Sequence, residues 1–324
     1  IRKRAILHEA DNIWIHLLGE AETAPWLDAL AGQDPMTLPL YGIPFAIKDN
    51  IDLAGIPTTA GCAAFSYTPD ESAFVVARLI AAGAVPVGKA NLDQFATGLV
   101  GTRSPWGATR NAFDPDYISG GSSSGSAVAV TRGLASFALG TDTAGSGRIP
   151  AAFNNLVGIK PSRGLLSTRG VVPACRSLDC VSVFTLDCDD AAAVMDVVTG
   201  LDTQDPYARK AHASPPARAA FRFGVPQDSQ LEFFGDEEAA SLFRQGVENL
   251  RGLGGEMVSV DFGPFLDAAR LLYEGPWVAE RYAAIESFIE SRPQDMLPVT
   301  RGIIEPGGAL RSVDAFKAQY RLQS

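Results

Sequence analysis

Histidine is scarce in this chain, which holds 3 among its 324 residues. His8 and His16 lie in an amphipathic segment that predicts a helix over 4–18, and His212 lies in a loop rich in proline and alanine. An imidazole-based triad or a histidine-ligated metal site would need a histidine near the glycine-rich centre of the sequence. No histidine lies there, which argues against both kinds of site.

Paired cysteines and long apolar runs are also missing. The 4 cysteines form no C-x-x-C pair, so neither a zinc site nor a thioredoxin-like motif is indicated. We expect no signal peptide, and therefore reduced, mostly buried thiols in a cytoplasmic protein. The best apolar stretch, 72–88, is interrupted by Arg78, Gly83 and Pro86. We therefore expect no segment to cross a membrane.

Positive charge is in short supply. The chain has 27 lysines and arginines against 37 aspartates and glutamates, which gives a formal net charge of −10. Nucleic-acid-binding proteins carry basic surfaces, so nucleic acid is not an expected partner. The remaining composition, 46% hydrophobic and 20% charged, is that of a globular protein. A chain of this length can bury a large core without disulfides.

What the sequence does contain is a repeated alternation of strand and helix patterns. Strands are predicted at 42–48, 84–87, 135–139, 221–225 and 256–260, and helices at 72–82, 123–132 and 236–251. This alternation predicts an α/β fold, a mixed β-sheet with helices on both faces. We expect one large domain over 21–324, with 1–20 as an attached helical segment. A helical pattern over 313–322 reaches almost to the last residue, so we expect the C-terminal end of the domain to be incomplete.

Two loops rich in glycine and serine, 120–126 and 140–148, lie between the extended and the helical patterns. Helix N-termini present free N–H groups and partial positive charge, so both loops are candidate anion or oxyanion sites. The first loop is not a phosphate-binding P-loop, because Ser126 stands where a lysine would follow Gly125.

Three functional interpretations of these loops remain open from the residues alone. Residues 121–125 match G-x-S-x-G, which would make Ser123 the nucleophile of an α/β-hydrolase esterase, with His212 as its histidine. The loops could instead form a non-catalytic anion-binding domain. In the third interpretation a lysine activates a serine. Lys48, Lys89 and Lys160 each end an apolar run, and their spacing does not choose among them.

Four segments together resemble the amidase signature family: Lys48, 120–123, 140–153 and 157–161. The resemblance is strong over 38–200 and looser elsewhere. It implies that Lys48 is the general base, that Ser122 bridges on a cis peptide, and that Ser146 is the nucleophile. It also implies that the enzyme needs neither a metal nor an organic cofactor.

The same resemblance implies an oxyanion hole made by the backbone N–H groups of Thr143, Ala144 and Gly145, together with that of Ser146. Such donors stabilise the tetrahedral intermediate of acyl transfer. The wider family more often has glycine at the positions of Ala144 and Ser124, and alanine tolerates a positive φ less well than glycine.

Within the family, 101–107 and 177–184 are most similar to allophanate hydrolases. This similarity implies hydrolysis of the linear amide C–N bond of a small anionic amide, allophanate, to ammonia and carbon dioxide. Another small-amide amidase is the alternative. Family members that act on charged transfer RNA fit the acidic composition less well.

The similarity to allophanate hydrolases also implies substrate-binding roles. Tyr273 and Arg281 would hold the ligand from one face of a helix-like stretch, 265–289, that is interrupted at 275–276. Arg103 is a second candidate for the substrate carboxylate, which arginine can bind in bidentate fashion. The resemblance further implies a homodimer, and a functional link to a urea carboxylase or another allophanate-producing enzyme.

Overall fold

The computed structural model describes residues 1–211 and 220–324. Its contacts group into two compact units. The first unit comprises Ile1–Ala211 and Trp277–Leu310, and the second comprises His212–Pro276 and Arg311–Ser324. His212, the histidine of the esterase interpretation, lies outside the described residues.

The helices and strands are numbered along the chain. The first unit contains the helices α1 (Arg2–Leu7), α2 (Glu20–Leu30), α3 (Phe74–Ala81), α4 (Ser124–Thr131), α5 (Arg148–Phe153), α6 (Cys188–Val198), α9 (Trp277–Ala284), α10 (Glu286–Ser291) and α11 (Pro298–Ile304). Its strands are β1 (Trp14–Leu17), β2 (Pro44–Lys48), β3 (Val85–Ala90), β4 (Phe137–Asp142), β5 (Val157–Ile159) and β6 (Cys180–Thr185). The second unit contains β7 (Phe221–Pro226), α7 (Glu237–Gly252), β8 (Gly255–Val260), α8 (Gly263–Tyr273) and α12 (Ser312–Gln323).

The six strands of the first unit form one mixed sheet in the order β1-β3-β2-β4-β6-β5. The central strand β2 is parallel to both of its neighbours, β3 and β4, whereas the outer pairs are antiparallel. Ile47 lies opposite Leu139 in the register of β2 and β4. Parallel strands end at the same edge of a sheet, so Lys48 at the end of β2 lies beside the end of β4.

The alternation of side chains along β2 builds two cores. Phe45 and Ile47 face one layer, where they pack with apolar residues of α3 and α6. Ala46 faces the opposite layer, where it packs with Ala138 and the alanines and valines of α4. Successive side chains of a strand point to opposite faces, so each core is covered by its own helices. The predicted mixed sheet with helices on both faces is confirmed.

The N-terminal prediction of a helix over 4–18 is wrong. Helix α1 ends at Leu7, Asn12 adopts a left-handed φ of 51°, and Trp14–Leu17 is a strand antiparallel to β3. A Cβ on Gly88 of β3 would lie 2.7 Å from the Trp14 ring, so the glycine makes room for this side chain. Pairing with a strand distant in sequence overrides the local helical pattern.

The second unit contains a β-α-β element in which β7 and β8 pair in parallel with α7 between them in the chain. Its strands and helix were predicted to within a few residues. The Asp236 side chain caps α7 by accepting a hydrogen bond from the N–H of Ala239 at 2.9 Å.

All 4 cysteines are free thiols, and Cys62, Cys175 and Cys180 are buried while Cys188 is exposed. The prediction of unpaired, mostly buried cysteines is confirmed. Among the described residues, none of the helices is long and apolar enough to cross a membrane.

Candidate active site

Lys48 is the last residue of β2, and its side chain is fully buried. Its Nζ donates hydrogen bonds to the Ser122 Oγ and to the Thr141 Oγ1, both at 2.7 Å. Asn50 also donates to the Thr141 Oγ1, at 3.4 Å. The ammonium group is thus surrounded by neutral hydroxyls at contact distance. Thr141 lies within the segment 140–153 that resembles the family, but no role was predicted for it.

Burial lowers the pKa of Lys48 from its ordinary value to about 7. Three carboxylates farther away, on Asp93, Asp179 and Asp142, oppose this change, and the Arg281 guanidinium adds to it. Near neutral pH a substantial fraction of Lys48 is therefore the free amine, which can accept a proton.

The first Gly/Ser-rich loop presents Ser122 to this lysine. The Gly121–Ser122 peptide bond is cis, as the family resemblance implied. The buried Asp93 carboxylate accepts N–H hydrogen bonds from Gly101 at 3.0 Å and from Arg103 at 2.9 Å. Any Cβ at position 121 would collide with that carboxylate, so only glycine fits. The Asp93 carboxylate thus holds the neighbouring segment 100–103, and the Asp93 N–H donates to the Ser122 carbonyl at 3.1 Å. Sequence reasoning missed Asp93 because it lies outside the glycine-rich motif.

Ser123 is fully buried and bonded to the main chain. Its Oγ donates to the Thr141 carbonyl at 3.1 Å and accepts from the Thr141 N–H at 3.3 Å. These contacts tie the start of α4 to β4. A hydroxyl held in this way has a structural role, which argues against Ser123 as the nucleophile of an esterase.

Ser146 lies in the second Gly/Ser-rich loop, between β4 and α5, and is 4% exposed. Its Oγ lies 3.5 Å from the Gly98 carbonyl oxygen. The Ser146 carbonyl accepts a hydrogen bond from the Ser123 N–H at 3.3 Å, which joins the two loops. The structure thus brings Lys48, Ser122 and Ser146 to one edge of the sheet, at the ends of β2 and β4.

The second loop is wrapped around the Asp142 carboxylate at the end of β4. This carboxylate accepts the N–H groups of Gly145 at 2.7 Å and of Gly147 at 3.1 Å, and two side-chain hydrogen bonds from Arg148, each at 2.9 Å. Burial acts to raise the pKa of Asp142, but the Arg148 and N–H hydrogen bonds hold it below its ordinary value.

The predicted oxyanion donors differ in their availability. The Gly145 N–H is directed at Asp142, so the structure does not offer it to a substrate. In the described part of the chain, the N–H groups of Thr143, Ala144 and Ser146 donate to no other protein group. Gly145 has a φ of 138°, whereas Ala144 is not among the residues of positive φ. The glycine therefore stands where the backbone requires one, and the alanine is not strained.

A second carboxylate, Asp179, holds the same loop from outside and was not assigned a role from the sequence. Its Oδ1 accepts a short hydrogen bond from the Thr143 hydroxyl. It also accepts the N–H groups of Ala174 at 2.9 Å and Cys175 at 3.2 Å. Burial raises the pKa of Asp179, and these hydrogen bonds oppose that rise.

The other two candidate lysines have different partners. The buried Lys89 Nζ forms an ion pair with Asp49 at 3.0 Å. The Lys160 Nζ donates to the Pro161 carbonyl at 2.6 Å. Of the three lysines that the sequence left open, Lys48 is the one placed against a serine of the glycine-rich loops.

The two predicted substrate-binding residues do not share a helix face. The helical stretch is interrupted between α8 and α9. Tyr273 is the last residue of α8, and Arg281 belongs to α9, which lies in the other compact unit. The prediction of one common face is wrong, although the interruption at 275–276 was predicted. Tyr273 is 39% exposed and Arg281 is 2% exposed.

Arg281 is anchored close to the site. Its Nη1 donates to the Thr97 Oγ1 at 3.0 Å, and Arg103 donates to the Thr97 carbonyl at 3.0 Å. The adjacent Glu280 accepts the N–H and the hydroxyl of Ser177, each at 2.6 Å. Helix α9 therefore contacts two loop segments of the first unit, one at Thr97 and one at Ser177.

A mixed sheet that carries a buried lysine, a serine on a cis peptide and a second serine loop defines an amidase-type site. The family model described as Amidase matches residues 2–317, and the chain belongs to this family. Urea amidolyase of Saccharomyces cerevisiae (strain ATCC 204508 / S288c) is 47% identical over 317 residues, which are 97% of this chain and 17% of that protein.

Other relatives show how broad this likeness is. Indoleacetamide hydrolase of Pseudomonas syringae pv. syringae is 37% identical over 223 residues, which are 68% of this chain and 48% of that protein. The structure of Kluyveromyces lactis allophanate hydrolase matches with a TM-score of 0.93 and 44% identity, covering 99% of this chain and 55% of that chain. The chain thus spans about half or less of the length of these relatives.

Proposed function

We propose that this chain is an amide hydrolase that cleaves allophanate with a triad of Ser146, Ser122 and Lys48. The observation that carries the proposal is the fully buried Lys48, whose Nζ lies 2.7 Å from the hydroxyl of Ser122 on its cis peptide. A buried lysine held by hydroxyls is the base that a serine nucleophile needs when no histidine is near.

The first chemical step is a proton relay. Neutral Lys48 accepts the proton of Ser122 while Ser122 takes that of Ser146, whose Oγ attacks the amide carbon. The oxyanion that develops accepts N–H hydrogen bonds from Thr143, Ala144 and Ser146. Donors placed in this way stabilise the transition state by about 3–4 kcal/mol each.

The relay then runs in reverse to release the product. The proton held by Lys48 returns through Ser122 to the leaving nitrogen, the carbon–nitrogen bond breaks, and ammonia departs. Water next attacks the acyl group on Ser146, with the same residues as base and donors. With allophanate, the C–N bond of the terminal urea-type amide is cleaved and water leaves N-carboxycarbamate as the product. This product loses carbon dioxide to give carbamate, which breaks down to a second carbon dioxide and a second ammonia.

Allophanate is favoured as the substrate by the relatives that this chain resembles over almost its full length. These are a urea amidolyase at 47% identity and an allophanate hydrolase at 44% identity. The same likeness supports a link to an enzyme that produces allophanate, such as a urea carboxylase. The homodimer, the cytoplasmic location and the domain boundary after residue 20 stay predictions.

The function is tested by ammonia release from allophanate, malonamate, urea and acetamide. We expect wild-type turnover of allophanate, and a loss of at least about a thousandfold in Ser146→Ala. Ser123→Ala is the matched control, which should lose stability but keep most of its turnover. Loss of turnover in Ser123→Ala but not in Ser146→Ala would favour the esterase interpretation, and no turnover of any amide would favour the anion-binding domain.

We further propose that Arg281 holds the carboxylate of the substrate, while the binding role of Tyr273 stays a prediction. Arg281→Ala should raise KM for allophanate and malonamate roughly tenfold to a hundredfold, because a charge-assisted hydrogen bond is lost. KM for an uncharged amide should hardly change. Arg103→Ala is the comparison: a larger KM effect there would assign the role to Arg103, and equal losses on charged and neutral substrates would make Arg281 structural.

A further inference from the structure

The hydrogen bond between Thr143 and Asp179 joins the loop that carries Ser146 to a segment that contains no residue of the triad. Thr143 begins the loop that carries Ser146, and Asp179 immediately precedes β6. Asp179 is 5% exposed and lies at the end of a turn, where its own N–H donates to the Cys175 carbonyl at 2.9 Å. Its carboxylate is thus buried and bonded to a different segment, residues 143–147, which we call the oxyanion loop.

We propose that Asp179 is a positioning residue, an ionised carboxylate that fixes the oxyanion loop through the Thr143 hydroxyl and places a negative charge near Lys48. The inference rests on the proposed triad of Lys48, Ser122 and Ser146. It gives Asp179 two effects that can be measured separately, one through the loop and one through the charge.

Burial raises the pKa of Asp179, and the hydrogen-bond donors around its carboxyl group oppose that rise. The N–H groups of Ala174 and Cys175 can only donate, and the Thr143 hydroxyl is a third donor that points at the same carboxyl group. A group that accepts three hydrogen bonds is stabilised as the carboxylate, even where burial opposes ionisation. The positive charge of Arg281 acts in the same direction.

The loop effect follows from where the tether is attached. Thr143 is the first of the residues whose N–H groups remain available to an oxyanion, so fixing its side chain also fixes the direction of its N–H. The far end of the tether is itself rigid, because Glu280 of α9 accepts both the N–H and the hydroxyl of Ser177 at 2.6 Å. The oxyanion loop is thus anchored to α9 through two carboxylates.

The charge effect follows from the groups that face Lys48. These are the carboxylates of Asp93, Asp142 and Asp179 and the guanidinium of Arg281, on four different segments of the chain. Asp142 shares its charge with Arg148 in an ion pair at 2.9 Å. Replacing Asp179 by a neutral side chain removes one of the three negative charges and makes protonation of Lys48 harder.

Two variants separate these effects in the full chain, with kcat/KM for ammonia release measured against pH. Asp179→Asn should lower kcat roughly tenfold to a hundredfold. It should also lower, by about one unit, the apparent pKa of the ascending limb, the part of the pH profile in which kcat/KM rises with pH. Thr143→Val should lower kcat by a similar factor and leave the limb in place, because the charge is kept. Thr143→Ser keeps the hydroxyl and should retain most of kcat.

Asp205→Asn is the matched control, since Asp205 is also buried and accepts the Thr168 N–H at 2.8 Å and the Ser167 hydroxyl at 3.0 Å. It should lose stability without moving the limb. An unmoved limb in Asp179→Asn overturns the charge effect, and a Thr143→Val variant with wild-type kcat overturns the loop effect. Asp179→Glu keeps the charge, so if Asp179→Asn does not fold, a wild-type limb is expected in Asp179→Glu and a moved one contradicts the proposal.

Failure of the proposed triad would look different. In that case the wild-type rate would show no limb that depends on Lys48, or no amide would be cleaved at all. A limb that vanishes in Lys48→Met but is unmoved in Asp179→Asn would keep the triad and reject only the role of Asp179.

Discussion

Lys48 and Lys89 lie on neighbouring strands and are equally buried, but their Nζ atoms contact different chemical groups. Both side chains are 0% exposed. The Lys48 Nζ contacts the hydroxyls of Ser122 and Thr141, whereas the Lys89 Nζ contacts the Asp49 carboxylate at 3.0 Å. Burial alone therefore does not make a lysine a base. A carboxylate at contact distance makes it half of an ion pair, and hydroxyls alone leave it ready to lose its proton.

Asp49 is the residue that keeps these two environments apart. It follows Lys48 directly in the chain, and successive side chains of an extended segment point in opposite directions. Its carboxylate turns to Lys89 and accepts the Thr59 N–H at 3.0 Å. Lys48 therefore contacts the hydroxyls of the candidate site, whereas the next residue, Asp49, forms an ion pair with Lys89 of the neighbouring strand.

The largest expected effect in this comparison is the loss of turnover in Lys48→Met. Removing the amine that is placed to accept the Ser122 proton should lower kcat/KM at least about a thousandfold, because the nucleophile is no longer activated. The variant should still fold, since a buried amine that lacks a contacting carboxylate contributes little to stability. Steady-state ammonia release and thermal unfolding measure the two quantities.

Lys160→Met is the control for this prediction. Lys160 also ends an apolar run, but its Nζ donates to the Pro161 carbonyl. We expect its turnover to remain within a few-fold of wild type. A Lys160→Met variant as inactive as Lys48→Met would show that loss of any of these lysines disables the fold.

A smaller effect, on stability rather than on chemistry, is expected at the second lysine. Lys89→Met leaves the Asp49 carboxylate buried without its cation, which should lower the free energy of unfolding by about 3–5 kcal/mol. The double variant Lys89→Met/Asp49→Leu removes both charges and should recover much of that loss. Urea unfolding measures both, and a Lys89→Met variant of wild-type stability would contradict the ion-pair interpretation.

The elements that the sequence predicted are those set by local patterns. The alternation of apolar residues placed β2, α3, β3, α4 and β4 to within a few residues, and the glycine at the end of α3 marked its stop. The strand β1 was missed because its pairing partner, β3, lies about seventy residues away in the chain. Local periodicity carries no information about such a partner.

Sequence reasoning named only part of the candidate site. The family resemblance named Lys48, Ser122 and Ser146, but the pattern of residues alone left Lys48, Lys89 and Lys160 equivalent. What separates them is the identity of the group opposite each Nζ, and those groups come from other strands and loops. The carboxylates Asp93 and Asp179 were missed because each acts on backbone N–H groups of another segment.

The pH dependence of kcat/KM for ammonia release by the wild-type chain tests the central claim most directly. The pKa of Lys48 is lowered to about 7, and the free amine is the form that accepts a proton. The rate should therefore be low in acid, rise with pH through an apparent pKa of about 7, and level off above it. A rate that does not change between acid and neutral pH, or that rises only near the ordinary pKa of lysine, would contradict the assignment of Lys48 as the base.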